Sequence, residues 1–201
     1  MQRHMPLNRS FYRKVADRLS RMLAYMLRGH TFGEFGSKSY VGKPFMLRGQ
    51  SAIALGSNVS IWKMARLEVV RARADKIVIR IGDDTVIQPF VHISAVQSVE
   101  IGRECLFASG VYISDHDHVW QDPNISTLKK HELEIEPVSI GDGVWLGERV
   151  IVLKGVSIGE GSVVGAGSVV SKNIPKRCVA GGVPARILKQ WNEITGEWEK
   201  A

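Results

Sequence analysis

The sequence predicts an all-β-dominated protein: a parallel β-helix of stacked six-residue repeats, preceded by an amphipathic helix and interrupted by an extruded loop. Three observations carry this. An aliphatic residue recurs at every sixth position over long stretches, a glycine or other small residue often follows it, and two segments, 69 to 80 and 115 to 137, break the register.

Residues 10 to 28 come first. Phe11, Val15, Leu19, Met22 and Met26 fall on one side of a helix, with Arg13, Lys14, Asp17, Arg18 and Arg21 largely elsewhere. Ser10 suits the start and Gly29 the end. Residues 1 to 30 hold seven Arg and Lys against Asp17 alone, so they carry +6 of the net +7. The basic feature is therefore one local segment, and no general nucleic-acid surface is implied. A basic helix with an apolar stripe lies on an anionic membrane or packs on its own protein or a partner subunit.

The repeats begin weakly at Phe35 and Val41 and recur at Leu55 and Ile61. After the break at 69 to 80 they resume at Ile81, Ile87 and Ile93, then at Ile101, Phe107 and Ile113. Past the second break, residues 140 to 175 read IGDGVW, LGERVI, VLKGVS, IGEGSV, VGAGSV and VSKNIP. A strand alternates faces with period two. A period of six therefore means short straight pieces separated by turns, and three pieces close a triangular coil. The aliphatic position points inward at each coil, and no coil buries its apolar face alone, so coils must stack. The spacing does not set the handedness. The expected organisation is a basic helical segment over 1–33, a β-helix domain over 34–190 with a loop at 115–137, and a tail over 191–201.

The composition is that of a globular chain, with 44% hydrophobic and 23% charged residues. Cys105 and Cys178 match no zinc or redox spacing and read as buried small residues in a reducing compartment. No apolar run is long enough to span a membrane, and the first residues lack the pattern of a signal peptide. A cytoplasmic location is expected.

The stretch YISDHDHVWQDP, residues 112 to 123, packs Asp115, His116, Asp117, His118 and Asp122 between a β-like run and a proline. Its residues alone suit a metal site, a catalytic base with helpers, or a solvated polar loop.

The sixes, the loop that opens with histidines, VWLG at 144 to 147, GAGSVVSK at 165 to 172 and GGVPAR at 181 to 186 together resemble the hexapeptide-repeat acyltransferases. The similarity is to the maltose/galactoside acetyltransferase-like branch, over about residues 35 to 190. It implies a left-handed β-helix, acetyl-CoA as co-substrate and direct acetyl transfer to a saccharide or polysaccharide-precursor acceptor. It also implies a homotrimer with active sites between subunits. Matched to the family, His118 is the general base, with His116 the alternative and Asp115 or Asp117 orienting the imidazole. A positioned imidazole suits proton removal near neutral pH. Trp145 would stand beside the acetyl or pantetheine group, and Gly147 and Ala166 would line the pantetheine groove. Ser171, Lys172, Arg186 and Lys189 would meet the adenosine phosphates, a role suited to cations. Glu148 stands where relatives often have a small residue.

No metal site is implied by that reading. N-acetylation of an amino sugar or of a xenobiotic is the nearer alternative. A γ-carbonic-anhydrase-like metal enzyme using His92, His116 and His118 is a remote one, as is a non-catalytic scaffold. O-acetylation of a glycan precursor fits the basic segment best, since that segment would give peripheral contact with the inner membrane face.

Overall fold

The structure is a computed structural model that describes residues 29–71 and 76–201. The helix expected at 10 to 28 lies outside the described residues. From Gly29 onward the chain is built almost wholly of short parallel strands on three faces.

Face A stacks Glu34–Phe35, Ile53–Leu55, Ile79–Ile81, Val99–Ile101, Val138–Ile140 and Ser157–Ile158. Face B begins with Tyr40–Val41, Ser60–Ile61, Val86–Ile87 and Leu106–Phe107. It continues through Trp145–Leu146, Val163–Val164 and Cys178–Gly182. Face C stacks Met46–Arg48, Arg66–Val69, His92–Ala95, Tyr112–Ser114, Ile151–Val152 and Val169–Val170. The chain visits A, B and C in turn, so every residue pairs with one a full coil away. This is the prism that a period of six requires.

The core is the inward column of each face. Ile81, Ile87, Ile93, Ile101, Phe107, Ile113, Ile140, Leu146, Val152, Ile158, Val164 and Val170 are all buried. Full burial of one such side chain stabilises by about 1.5–3 kcal/mol. Val59, Val91, Val111, Val144, Val150 and Val156 are buried at fifth positions of the repeat, whereas Ser162 and Ser168 are buried serines there. Their hydroxyls bridge corners: Ser162 Oγ donates to Pro175 O at 2.8 Å and accepts from Cys178 N at 3.1 Å. Ser168 Oγ donates to Gly165 O at 2.6 Å and accepts from Gly182 N at 3.1 Å. Both cysteines are free and buried.

Both breaks in the register are insertions at the corner leading from face C to face A. One follows Arg66–Val69. The other follows Tyr112–Ser114 and, instead of a plain loop, opens as a two-stranded ribbon: His116–His118 pairs antiparallel with Leu133–Ile135. The insertions touch, because Arg71 Nη2 donates to His131 O at 3.2 Å. The last residues, expected as a tail, continue face B instead. Ala185–Asn192 folds back on Cys178–Gly182, and Glu197–Lys200 folds back on Ala185–Asn192. Trp191 and Trp198 stand edge to face across that last hairpin, with ring centroids 5.5 Å apart.

Candidate active site

The site is built from the corner after Ser114. Asp115 is the first residue to leave the prism, yet it is fully buried. Its carboxylate accepts backbone N–H groups from the preceding coil: Val96 at 2.9 Å, Gln97 at 2.7 Å and Ser98 at 2.8 Å. It also meets His116 Nδ1 at 2.9 Å. Burial pushes the Asp115 carboxyl up, but His116 and the three backbone donors outweigh it and hold the group below the usual carboxylate range. The side chain thus fastens the corner of one coil and fixes the ring that starts the ribbon. Ser114 Oγ lies 3.3 Å from the same His116 nitrogen and donates to His116 O at 2.8 Å.

Side chains alternate along a strand, so His116 and His118 share one face of the ribbon and Asp117 lies on the other. There Asp117 stands opposite Glu134. Lys154, from the adjoining coil, reaches Glu136 at 3.0 Å, Glu134 at 3.4 Å and Asp117 at 4.0 Å. Hydrogen bonding to Glu136 raises the Lys154 pKa. Glu136 and Glu134 therefore brace the ribbon against the prism, with Asp117 at the edge of the same contact. Of the expected helpers, Asp115 orients His116, not His118. His118 is exposed, and its ring has no hydrogen bond to another described residue. Asp122 caps a turn, accepting from Asn124 N at 2.9 Å, while its own carbonyl accepts from Lys130 Nζ at 2.7 Å.

Trp145 lies on the outer side of face B, half-exposed, between Leu106 and Val163. Gly147 and Ala166 meet on adjacent coils: a Cβ on Gly147 would sit 2.6 Å from Ala166 N. Gly147 contributes no side chain there and Ala166 only a methyl group. Ser171 and Lys172 follow Val169–Val170 at a corner, exposed. Arg186 and Lys189 lie on Ala185–Asn192, opposite Gly181 and Val179, also exposed. Both elements are exposed and lie at the C-terminal end of the prism, and all four side chains carry hydrogen-bond donors.

A second histidine–carboxylate pair stands one coil below, on face C. His92 Nε2 lies 3.3 Å from Glu68 Oε1, which also takes Arg66 Nη2 at 2.8 Å and Ser94 Oγ at 3.2 Å. Sequence reasoning reaches His92 only as a metal ligand and does not reach Arg66, Glu68, Ser94 or Lys154. Aligning the hexads at Leu67, Ile93 and Ile113 places 66, 92 and 112 in one column, which is the signal that shows the group. Among the described residues, no three His, Cys, Asp or Glu side chains stand together as a metal set.

The family model described as bacterial transferase hexapeptide (six repeats) matches residues 137–172. A protein of Escherichia coli K12 named as a lipopolysaccharide biosynthesis O-acetyl transferase, WbbJ, is 41% identical over 165 residues, covering 79% of this chain and 82% of its own. The galactoside O-acetyltransferase of the same organism is 34% identical over 130 residues, covering 56% of this chain and 64% of its own. Among solved structures, the hexapeptide-repeat acetyltransferase VCA0836 of Vibrio cholerae, complexed with acetyl coenzyme A, superposes with a TM-score of 0.60. It is 25% identical and covers 96% of this chain and 94% of its own. A relative this similar over most of both chains, together with the stacked coils and the extruded histidine ribbon, places the chain in the hexapeptide-repeat, left-handed β-helix acyltransferases, in their O-acetyltransferase branch.

Proposed function

We propose that this enzyme moves an acetyl group from acetyl-CoA to a hydroxyl of a saccharide or polysaccharide precursor, with His118 as general base. The observation that carries this reading is the ribbon His116–His118/Leu133–Ile135, which holds an imidazole clear of the prism on a braced two-stranded support. The names of the relatives supply the chemistry: O-acetyl transfer in lipopolysaccharide biosynthesis and to galactosides, and an acetyl-CoA complex.

His118 takes the proton of the acceptor hydroxyl as that oxygen bonds to the thioester carbonyl carbon. The carbon–sulfur bond then breaks, and the imidazolium returns the proton to the departing thiolate. His118 suits this because its ring is free to meet a substrate. The pair Asp115–His116 favours a second reading in which His116, already oriented by a buried carboxylate, is the base and His118 binds the acceptor.

Trp145 and Leu106 leave 50% and 42% of their surface exposed side by side on face B. Such a patch suits a neighbouring copy. A homotrimer would bring it to the ribbon of the next subunit, with Gly147 and Ala166 along the pantetheine and Ser171, Lys172, Arg186 and Lys189 at the phosphates. On this reading residues 34–190 form the catalytic unit, and 191–201 extend it. The boundary expected after residue 33 moves earlier, because Phe32 is buried in the prism core and Gly33 N donates to Ile53 O at 3.0 Å. The basic segment before Gly29 acts separately, holding a cytoplasmic enzyme at the inner membrane face. No helix among the described residues is long and apolar enough to cross a membrane. Co-sedimentation of the full chain and a 1–28 deletion with anionic vesicles tests the contact; equal binding by both rules it out.

The reaction is tested by CoA release from acetyl-CoA with a panel of saccharides. Release that depends on a free hydroxyl supports it. Release only with free amines shifts it to N-acetylation, and failure to bind acetyl-CoA overturns it.

A further inference from the structure

Face C carries a polar assembly that the proton transfer does not use. Outward residues of three successive coils align in two columns. One runs Arg66, His92, Tyr112, and the other Glu68, Ser94, Ser114. Glu68 is buried, with 7% of its surface exposed. Burial pushes its carboxyl up, but Arg66, His92 and Ser94 outweigh it and keep it below the usual range, so it stays ionised. All three bonds fall on Oε1. Arg66 is the complementary feature: its Nε is buried without a hydrogen-bond partner among the described residues, and the 38% of the side chain that is exposed lies on its other atoms, the outer guanidinium included. The ring of His92 meets that of Tyr112 edge to face, centroids 5.1 Å apart. The second column ends at Ser114, 3.3 Å from His116 Nδ1. The assembly therefore runs from Glu68 to the root of the ribbon.

A charged carboxylate beside the exposed outer N–H groups of a guanidinium offers acceptor and donor together. Adjacent sugar hydroxyls, each able to give and take a hydrogen bond, match that pair. A carboxylated sugar would set its charge against Glu68 and Asp115. Two strand spacings separate Glu68 from Ser114, about 10 Å, which exceeds one pyranose ring and fits two. Building on the function proposed above, we infer that Arg66, Glu68 and His92 form a subsite for a neutral oligosaccharide. They grip a vicinal diol of one sugar while the adjoining sugar presents its hydroxyl at the ribbon. Arg48, next in the Glu68 column and exposed, is the feature an anionic ligand would use instead.

The test measures CoA release with maltose and lactose, with glucose and galactose, and with sialyl-lactose as the anionic arm. It is run on the wild type, Glu68→Gln and Arg66→Gln, each checked by thermal melting. Neutral disaccharides should be accepted with a lower KM than their monosaccharides. Arg66→Gln should raise the disaccharide KM roughly tenfold, the loss of one or two hydrogen bonds, and leave the KM for acetyl-CoA and for monosaccharides unchanged. Glu68→Gln should do the same where it folds. The subsite is overturned if only sialyl-lactose is accepted, if monosaccharides match disaccharides, or if Arg66→Gln leaves every acceptor KM unchanged. A wild type that binds acetyl-CoA but accepts no neutral saccharide also overturns it. A wild type that fails to bind acetyl-CoA strikes the proposed function itself, and that is seen before any variant is made.

Discussion

The buried carboxylate of Asp115 holds Nδ1 of His116 at 2.9 Å, and the same carboxylate gathers three backbone N–H groups of the coil below. One side chain therefore ties the ribbon to the prism and sets the direction of its first imidazole. Asp115→Asn keeps the shape but replaces one acceptor oxygen with an amide that faces donors. A hydrogen bond to a charged group contributes about 1.5–3 kcal/mol, so the variant should lose roughly 2–4 kcal/mol in urea denaturation. The pH dependence has a definite sign. A carboxyl whose folded pKa is depressed contributes stability above its unfolded pKa, near 3.9, and loses it as pH falls through the lower folded value. The acid limb of the stability profile should be shallower in Asp115→Asn.

His92 behaves in the opposite way from a histidine that gains a charge partner. Burial lowers its pKa, and the bond to Glu68 only partly offsets this. The unfolded chain thus binds a proton more readily than the folded one. The neutral ring's contribution is intact at pH 8. It declines as pH falls through the ordinary histidine pKa of about 6.5 and is gone below the folded value. Melting temperatures between pH 5 and 8 should fall less steeply for His92→Gln than for the wild type.

Lys154 links the ribbon to the adjoining coil through Glu134, Glu136 and Asp117. Its partners are partly exposed, so Lys154→Gln should cost less than about 1 kcal/mol. The effect should appear in kcat, through a looser ribbon, with the KM for acetyl-CoA unchanged. A variant with unchanged kcat would show that the strands hold the ribbon without this brace.

Gly147 is a point of close approach between two coils beside the expected pantetheine groove. Alanine there would set Cβ 2.6 Å from Ala166 N, which is backbone and cannot swing aside. Gly147→Ala should destabilise by about 1–3 kcal/mol, read as a lower melting temperature, and should raise the KM for acetyl-CoA.

The stacked prism is legible in the sequence because the first position of the repeat is buried on every face and is aliphatic at all but Phe107 from Ile81 through Val170, with a small or β-branched residue buried at many fifth positions. The ribbon is not. His116–His118 and Leu133–Ile135 are three residues each, one of them wholly polar, and their pairing spans a loop that has no period. The anchoring of Asp115 is hidden because its backbone partners, Val96 to Ser98, lie a coil earlier and donate main-chain groups that carry no residue signature. Asp117 stands beside two histidines in sequence, but strand alternation turns it to the far side. The Arg66–Glu68–His92 group is masked by the insertion at 69 to 80, which shifts the register between the strands that bring it together. The strand Glu197–Lys200 is exposed throughout and has no burial pattern to read.

Removal of the acceptor proton by His118, exposed on the ribbon, is the step on which the proposed mechanism rests. CoA release by His118→Ala and His116→Ala, each alongside wild type with acetyl-CoA and an accepted saccharide, tests it. Loss of a general base costs about 10²–10⁴ in rate. A loss of that size in kcat is expected for His118→Ala and a smaller one for His116→Ala, with acetyl-CoA binding retained in both. A full loss confined to His116→Ala, with His118→Ala active, would contradict the assignment and place the base on the histidine that Asp115 orients.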